Sequence, residues 1–214
     1  MTYSEALQAV QIVDHPVVQT RLTILRSKDT PTEVFRSCLR EISVALALTA
    51  LAEAQTRSKK IETPMGEADG VELARPVVII PILRAGLGFT EGMMQILPEA
   101  SIGHIGMFRN ETTHRPEQYY FRVPPGFKNA DVLLVDPMLA TGFSAAEAVS
   151  LLKKSGARFI RFVGLVGCPQ GVANLQSHHP EVPIFLAALD PGLDENCYIV
   201  PGLGDAGDRY FGTE

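Results

Sequence analysis

The chain has 214 residues, the size of one domain with an appendage. Its 19 Lys and Arg against 24 Asp and Glu leave a net charge of −5, which argues against nonspecific nucleic-acid binding. Hydrophobic residues at 46% and charged residues at 20% exclude wholesale disorder. The longest apolar uncharged stretch, Ile42–Ala52, is too short to cross a bilayer, so no membrane partner is expected. Met1-Thr2-Tyr3-Ser4-Glu5 shows no secretory pattern. Cys38, Cys168 and Cys197 are odd in number and lack a CxxC, which fits a reduced cytoplasmic protein and not a disulfide scaffold or zinc site.

The first fifty-odd residues read as helical. Thr30-Pro31-Thr32-Glu33 has the form of a capping box, and Val34, Cys38, Ile42 and Leu46 recur at helical spacing in a helix running to about Gln55. Arg57-Ser58-Lys59-Lys60 follows, and Pro64-Met65-Gly66 marks the turn of a small hairpin. Val77–Leu83 reads as a strand buried on both faces, with a turn and helix over Gly86–Leu97. Ile102–Phe108 is a second strand, Tyr119–Val123 part of a hairpin arm and Val132–Val135 a short strand. Ser144–Ser155 is a helix with Ser144 as its cap and Gly156 as its stop. Phe159–Val166 and Pro183–Leu189 are strands, with a helix near Gly171–Ser177 between them. Strands alternating with helices predict an α/β fold whose mostly parallel twisted sheet carries helices on both faces.

Three segments carry chemistry. Gly86-Leu87-Gly88 follows a strand but lacks the third glycine of a dinucleotide fingerprint, and reads better as a tight turn. Arg84, just before it, stands where open α/β sheets bind ligands, and its fork suits an anion. In Val132-Leu133-Leu134-Val135-Asp136-Pro137-Met138-Leu139-Ala140-Thr141-Gly142-Phe143-Ser144, a buried strand ends in a carboxylate and a short loop enters a helix. The loop amides and helix N-terminus suit a phosphate, and the carboxylate suits sugar hydroxyls. Pro201-Gly202-Leu203-Gly204-Asp205-Ala206-Gly207-Asp208-Arg209 is glycine-rich and flanked by Tyr198, Ile199, Tyr210 and Phe211, as a packed functional loop would be. His104, His114, His178 and His179 show no metal-ligand spacing. Asp190, Asp194 and Glu195 read as loop charges, and Cys168 and Cys197 as small packed side chains.

Asp136–Ser144 resembles the phosphoribosyl diphosphate loop of type I phosphoribosyltransferases, in the Asp-Pro-Met-Leu-Ala-Thr-Gly form of the uracil phosphoribosyltransferase family. Pro81–Gly88, Tyr198–Arg209 and Asp14–Thr23 are similar to that family too. The resemblance implies one phosphoribosyltransferase domain over residues 1–214. Residues 1–75 would form a helical extension and hairpin, 76–190 the core sheet with a β-arm, and 191–214 a loop covering the base.

The implied reaction joins uracil and phosphoribosyl diphosphate into uridine monophosphate, releasing diphosphate. Mg²⁺ is the implied cofactor, held mainly through phosphoribosyl diphosphate with no residue assigned as its ligand. By the same resemblance, Arg84, Arg109 and Asp205 are catalytic. Arg84 and Arg109 bind the diphosphate and Asp136 the ribose hydroxyls, with Pro137, Met138 and Leu139 lining the loop. Ala140, Thr141, Gly142, Phe143 and Ser144 cradle the 5′-phosphate. Asp205 faces phosphoribosyl diphosphate and its metal, and Ile199, Gly204, Asp205 and Ala206 form the uracil site. GTP is a candidate effector, and a homo-oligomer of at least two copies is expected.

The chemistry agrees with these residue types. An oxocarbenium-like sugar carbon with a departing diphosphate needs positioned positive charge, not a protein nucleophile. Uracil's acceptor–donor–acceptor edge matches backbone N–H, C=O and N–H groups, whereas cytosine would leave buried groups unpaired. Phe143 and Cys197 stand where the family commonly has glycine, Gln170 where a glutamate follows proline, and Arg115 where an acid is usual. A negative φ is expected at Phe143, since positive φ strains a bulky residue. Two other functions stay open: an RNA-binding regulator on this fold, and a purine-using transferase.

Overall fold

The computed structural model describes residues 10–109 and 116–213. The arm stretch Asn110–Thr113, with His114 and Arg115, lies outside them. The chain begins with β1 (Val10–Ile12), α1 (Pro16–Arg26) and α2 (Thr32–Ala50), followed by a hairpin of β2 (Thr56–Thr63) and β3 (Gly66–Leu73). Then come β4 (Val77–Leu83), α3 (Leu87–Ile96), β5 (Ser101–Ile102), β6 (His104–Arg109) and β7 (Pro116–Arg122). β8 (Asp131–Val135), β9 (Met138–Leu139), α4 (Phe143–Lys154), β10 (Phe159–Val163), β11 (Val166–Gly167) and α5 (Pro169–His178) complete the centre. The chain closes with β12 (Ile184–Leu186), β13 (Ala188–Leu189), β14 (Gly192–Leu193), β15 (Ile199–Val200) and α6 (Ala206–Phe211).

The main sheet has the order β1-β12-β10-β8-β4-β6-β7, with β5 also on β4. Every pairing in it is parallel except β6 with β7. Strand alternation divides the core. Val77, Ile79, Leu133 and Val135 face α1, α2 and α3. Val78, Ile80, Val132 and Leu134 face α4 and α5. Both faces are thus covered by helices, as the run of apolar strands requires.

At their carboxyl ends three strands break and resume. β8, β10 and β12 continue as β9, β11 and β13 in a second parallel sheet. The segments read as single strands over Phe159–Val166 and Pro183–Leu189 are therefore each two, split at 164–165 and at Ala187. The break in β8 is Asp136-Pro137: proline has no N–H to continue the ladder, and its carbonyl instead accepts from Leu165 and Val166. Ile102–Phe108 also divides, at Gly103.

Two helix starts differ from the sequence expectation. No capping box forms at α2, because the Thr30 hydroxyl donates to Ile24 O at 2.5 Å and Pro31 is the cap residue. The helix stops at Ala50 so that the chain can turn into β2. Its buried face centres on Phe35, Leu39, Ile42 and Leu46, leaving Val34 exposed. Ser144 does not cap α4: Gly142 is the cap residue, at φ 77°, and the helix has already begun at Phe143.

Cys197 has φ 67°, the one positive value among the described non-glycine residues. It closes the tight turn that Asp194 organises by accepting from the N–H groups of Asn196 and Tyr198. A side chain there costs about 1–2 kcal/mol, more than the entropy glycine loses. Cys197→Gly is expected to raise stability by roughly 0.5–1 kcal/mol, read from denaturant midpoints; an unchanged midpoint would mean that the turn bears no strain.

Candidate active site

The site lies at the carboxyl edge of the sheet, where open α/β folds bind ligands. β8 delivers Asp136 and β4 delivers Arg84, since the two strands pair with Pro81 opposite Val135. Gly207, in α6, brings the C-terminal loop against Ala85. The three segments singled out from sequence therefore converge.

The loop after β8 is tied down through its carbonyls. Leu139 O accepts from Cys168 N at 3.2 Å. Ala140 O accepts from Cys168 Sγ at 3.1 Å, and Thr141 O from Asn174 Nδ2 at 2.8 Å. The first backbone bond of α4 runs from Ala146 N to Gly142 O at 2.9 Å. The N–H groups of Phe143, Ser144 and Ala145 precede that bond, so no helical carbonyl serves them. Carbonyls held behind and amides presented in front, at the positive end of a 12-residue helix, make an anion cradle. Gly142 is indispensable to it: besides its positive φ, a Cβ there would stand 2.4 Å from Gly171 O. Phe143 has negative φ, as expected, with its ring half exposed.

Asp136 is half-buried. Burial pushes its carboxyl up to about 7, the Met138 N–H opposes the shift, and the Asp205 carboxylate adds to it. Asp205 caps α6, accepting from Asp208 N at 2.9 Å. Arg84 is more than half exposed and places Nη2 3.1 Å from Asp208 Oδ1. The Thr213 hydroxyl, and Arg84 after it, hold the Asp208 carboxyl below its ordinary value. Ile199 and Ala206 are buried and Gly204 is exposed. Arg109 closes β6, facing Pro116 in register; its side chain lies outside the described residues.

Beside Ser144, Asp190 departs from the sequence expectation. Asp190 is not a loop charge: it is 5% exposed and binds Arg26 through both carboxylate oxygens. The two lie 164 residues apart, so no local spacing links them. Cys168 is a buried thiol on the cradle, and His179 a buried ring bonded to Ser150 and Ala146 O. Neither joins the site's chemistry. Among the described residues no cluster of three or more His, Cys, Asp or Glu is placed to hold a metal.

The chain is similar to known proteins along nearly its whole length. The family model described as uracil phosphoribosyltransferase matches residues 12–213. A uracil phosphoribosyltransferase of Levilactobacillus brevis is 48% identical over 205 residues, covering 95% of this chain and 98% of the relative. One from Myxococcus xanthus is 48% identical over 204 residues, covering 95% and 97%. A solved structure of an Aquifex aeolicus protein superposes with a TM-score of 0.88 at 35% identity, covering 94% of this chain and 97% of that one. With its loop, its sheet edge and nearly its whole length accounted for, this chain belongs to the uracil phosphoribosyltransferase family.

Proposed function

We infer that the chain transfers the phosphoribosyl group of phosphoribosyl diphosphate to uracil, yielding uridine monophosphate and diphosphate, a pyrimidine salvage reaction. The observation that carries this is the cradle of Phe143, Ser144 and Ala145 amides set beside a strand-end carboxylate, Asp136. That pairing suits a sugar phosphate: amides for the 5′-phosphate, a carboxylate for the ribose hydroxyls.

In this reading residues 140–144 hold the phosphate and Pro137, Met138 and Leu139 shape the loop between it and the ribose. Arg84 and Arg109 grip the diphosphate and stabilise the charge that grows on it as the glycosidic carbon loses its leaving group. Main-chain groups of Ile199, Gly204 and Ala206 hold uracil, and Asp205 faces the reacting sugar. The Asp205 charge acts on the Asp136 carboxyl, so both face the same space, and Mg²⁺ would come into it mainly on the phosphate oxygens of phosphoribosyl diphosphate. The ion would neutralise charge on the departing diphosphate. Arg84→Lys is expected to lower turnover about tenfold, because a point charge replaces a planar fork; full activity would remove Arg84 from this role.

We also propose that the working form is at least a dimer. Hairpin β2–β3 fully buries no residue on either strand, with β2 exposed from Thr56 to Glu62, and such a hairpin is marginal alone in water. Val17 and Leu48 leave a further apolar face uncovered on α1 and α2. Light scattering should give at least twice the 23.2 kDa chain mass; a monomeric mass would refute it. GTP enters the proposal as an activator, tested by the rate with and without it at low phosphoribosyl diphosphate. No described helix is long and apolar enough to cross a membrane. Free Cys38, Cys168 and Cys197 fit the reducing cytoplasm we propose.

The test of the reaction is product formation from phosphoribosyl diphosphate with uracil, cytosine, hypoxanthine and xanthine in parallel. Uracil alone should yield nucleotide. A purine nucleotide would transfer the protein to another branch of the superfamily, and no product with any base would favour a binding or regulatory role.

A further inference from the structure

Two arginines cross between the N-terminal helices and the C-terminal loop, one from each side. Arg26, the last residue of α1, donates from Nη1 and Nη2 to the two oxygens of Asp190, each at 2.7 Å. Its Nη1 also donates to Gly202 O at 2.8 Å, while Asp190 Oδ2 accepts from Gly202 N at 2.8 Å. Both main-chain polar groups of Gly202 are therefore held by one ion pair. In return, Arg209 donates from Nη1 to Leu25 O at 2.6 Å and Leu203 O at 2.8 Å, and from Nη2 to Ser27 O at 2.6 Å.

This is not a surface salt bridge. Asp190 is buried, and a buried charge is tolerated only when partnered and fully hydrogen-bonded. Gly202 has φ 57°, and a Cβ on it would stand 2.0 Å from Ile199 O. No side chain can anchor the main chain at that point. Yet a base read by backbone groups needs those groups held to within about 0.5 Å. The clamp supplies that rigidity three residues from Ile199 and two from Gly204.

We propose that Arg26 and Asp190 are positioning residues for uracil: by clamping Gly202 they fix the backbone of residues 199–204 in the shape that accepts the base, while Asp205 is held separately by its own bond to Asp208 N. This rests on the assignment of Ile199, Gly204 and Ala206 to uracil given above. Helix α1 then serves as the scaffold of the base site, and the role of the N-terminal extension is selective for one substrate.

The experiment compares Asp190→Asn, which keeps shape but removes charge, with Arg26→Lys, which keeps charge but removes the fork. Uracil KM should rise at least about tenfold in Asp190→Asn and less in Arg26→Lys. Phosphoribosyl diphosphate binding, measured by calorimetry without uracil, should stay within about twofold of wild type. Discrimination against cytosine should fall with the rise in uracil KM. Should Asp190→Asn not fold, the same split in Arg26→Lys carries the test. A folded variant with wild-type uracil KM, or one that loses phosphoribosyl diphosphate binding equally, overturns the proposal. Failure of the underlying assignment looks different: the wild-type protein would then make no uridine monophosphate and bind no uracil, and the clamp's role would fall with it.

Discussion

Asp136→Asn should nearly silence the protein and, above pH 7, stabilise it. The two effects have one origin. Burial and the nearby Asp205 charge raise the carboxyl from 3.8 to about 7, so the folded state holds a proton that the unfolded chain has already lost. Stability is fully present below about pH 4 and declines as pH rises through 7, where the folded carboxyl ionises. Asparagine carries no such penalty. The variant should gain roughly 2–4 kcal/mol over wild type at pH 8 and almost nothing at pH 4. Its activity should move the other way. A neutral amide replaces a charged acceptor of ribose hydroxyls, each bond worth about 1.5–3 kcal/mol, so kcat/KM for phosphoribosyl diphosphate should drop on the order of 100-fold. In wild type, binding of phosphoribosyl diphosphate should strengthen from pH 6 to 8, and Asp136→Asn should flatten that rise. Melting curves at the two pH values, with initial rates, check both halves. A variant as active as wild type, or one less stable at pH 8, contradicts the placement of this carboxyl.

The second large effect separates two neighbours in the loop. Gly142 has φ 77° and no room for a Cβ beside Gly171 O, whereas Phe143 has negative φ and an exposed ring. Gly142→Ala should cost roughly 2–4 kcal/mol, combining left-handed strain with a backbone clash. Because the cradle amides follow directly, phosphoribosyl diphosphate affinity should fall with it. Phe143→Gly should cost only roughly 0.5–1 kcal/mol in backbone entropy and should not tighten binding. Urea titrations and phosphoribosyl diphosphate binding of the two variants decide this. Comparable losses at both positions, or tighter binding in Phe143→Gly, would show that the backbone requirement lies at residue 143.

Most of what places the site was legible because it is local. Val77–Leu83 and Val132–Val135 are uninterrupted apolar runs, and the turn from Asp136 to Ser144 is compact enough to carry its own signal. The alternation that sends Val132 and Leu134 to one face and Leu133 and Val135 to the other follows from the pleat alone. What stayed hidden depends on distant partners. β1 is three residues long and exists only because β12 pairs with it. The split of three strands into a second sheet depends on Pro137, Leu165 and Ala187 meeting in space. Hairpin β2–β3 is visible at its turn, but its charged stretch Arg57–Lys60 carries no apolar alternation to mark a strand; cross-strand pairs such as Arg57 with Glu72 and Lys60 with Asp69 show what makes it regular. Ser144 misled because a serine near a helix start usually caps it, whereas here the glycine before Phe143 sets the turn. Asp190 misled because nothing near it in sequence announces Arg26.

The most direct test of the account is a crystal structure of the protein with uridine monophosphate. Its phosphate should rest on amides within residues 140–145, its ribose hydroxyls on Asp136, and its uracil on main-chain groups of Ile199, Gly204 and Ala206. A nucleotide bound in that site with its phosphate away from the α4 N-terminus, or bound elsewhere on the molecule, would contradict it.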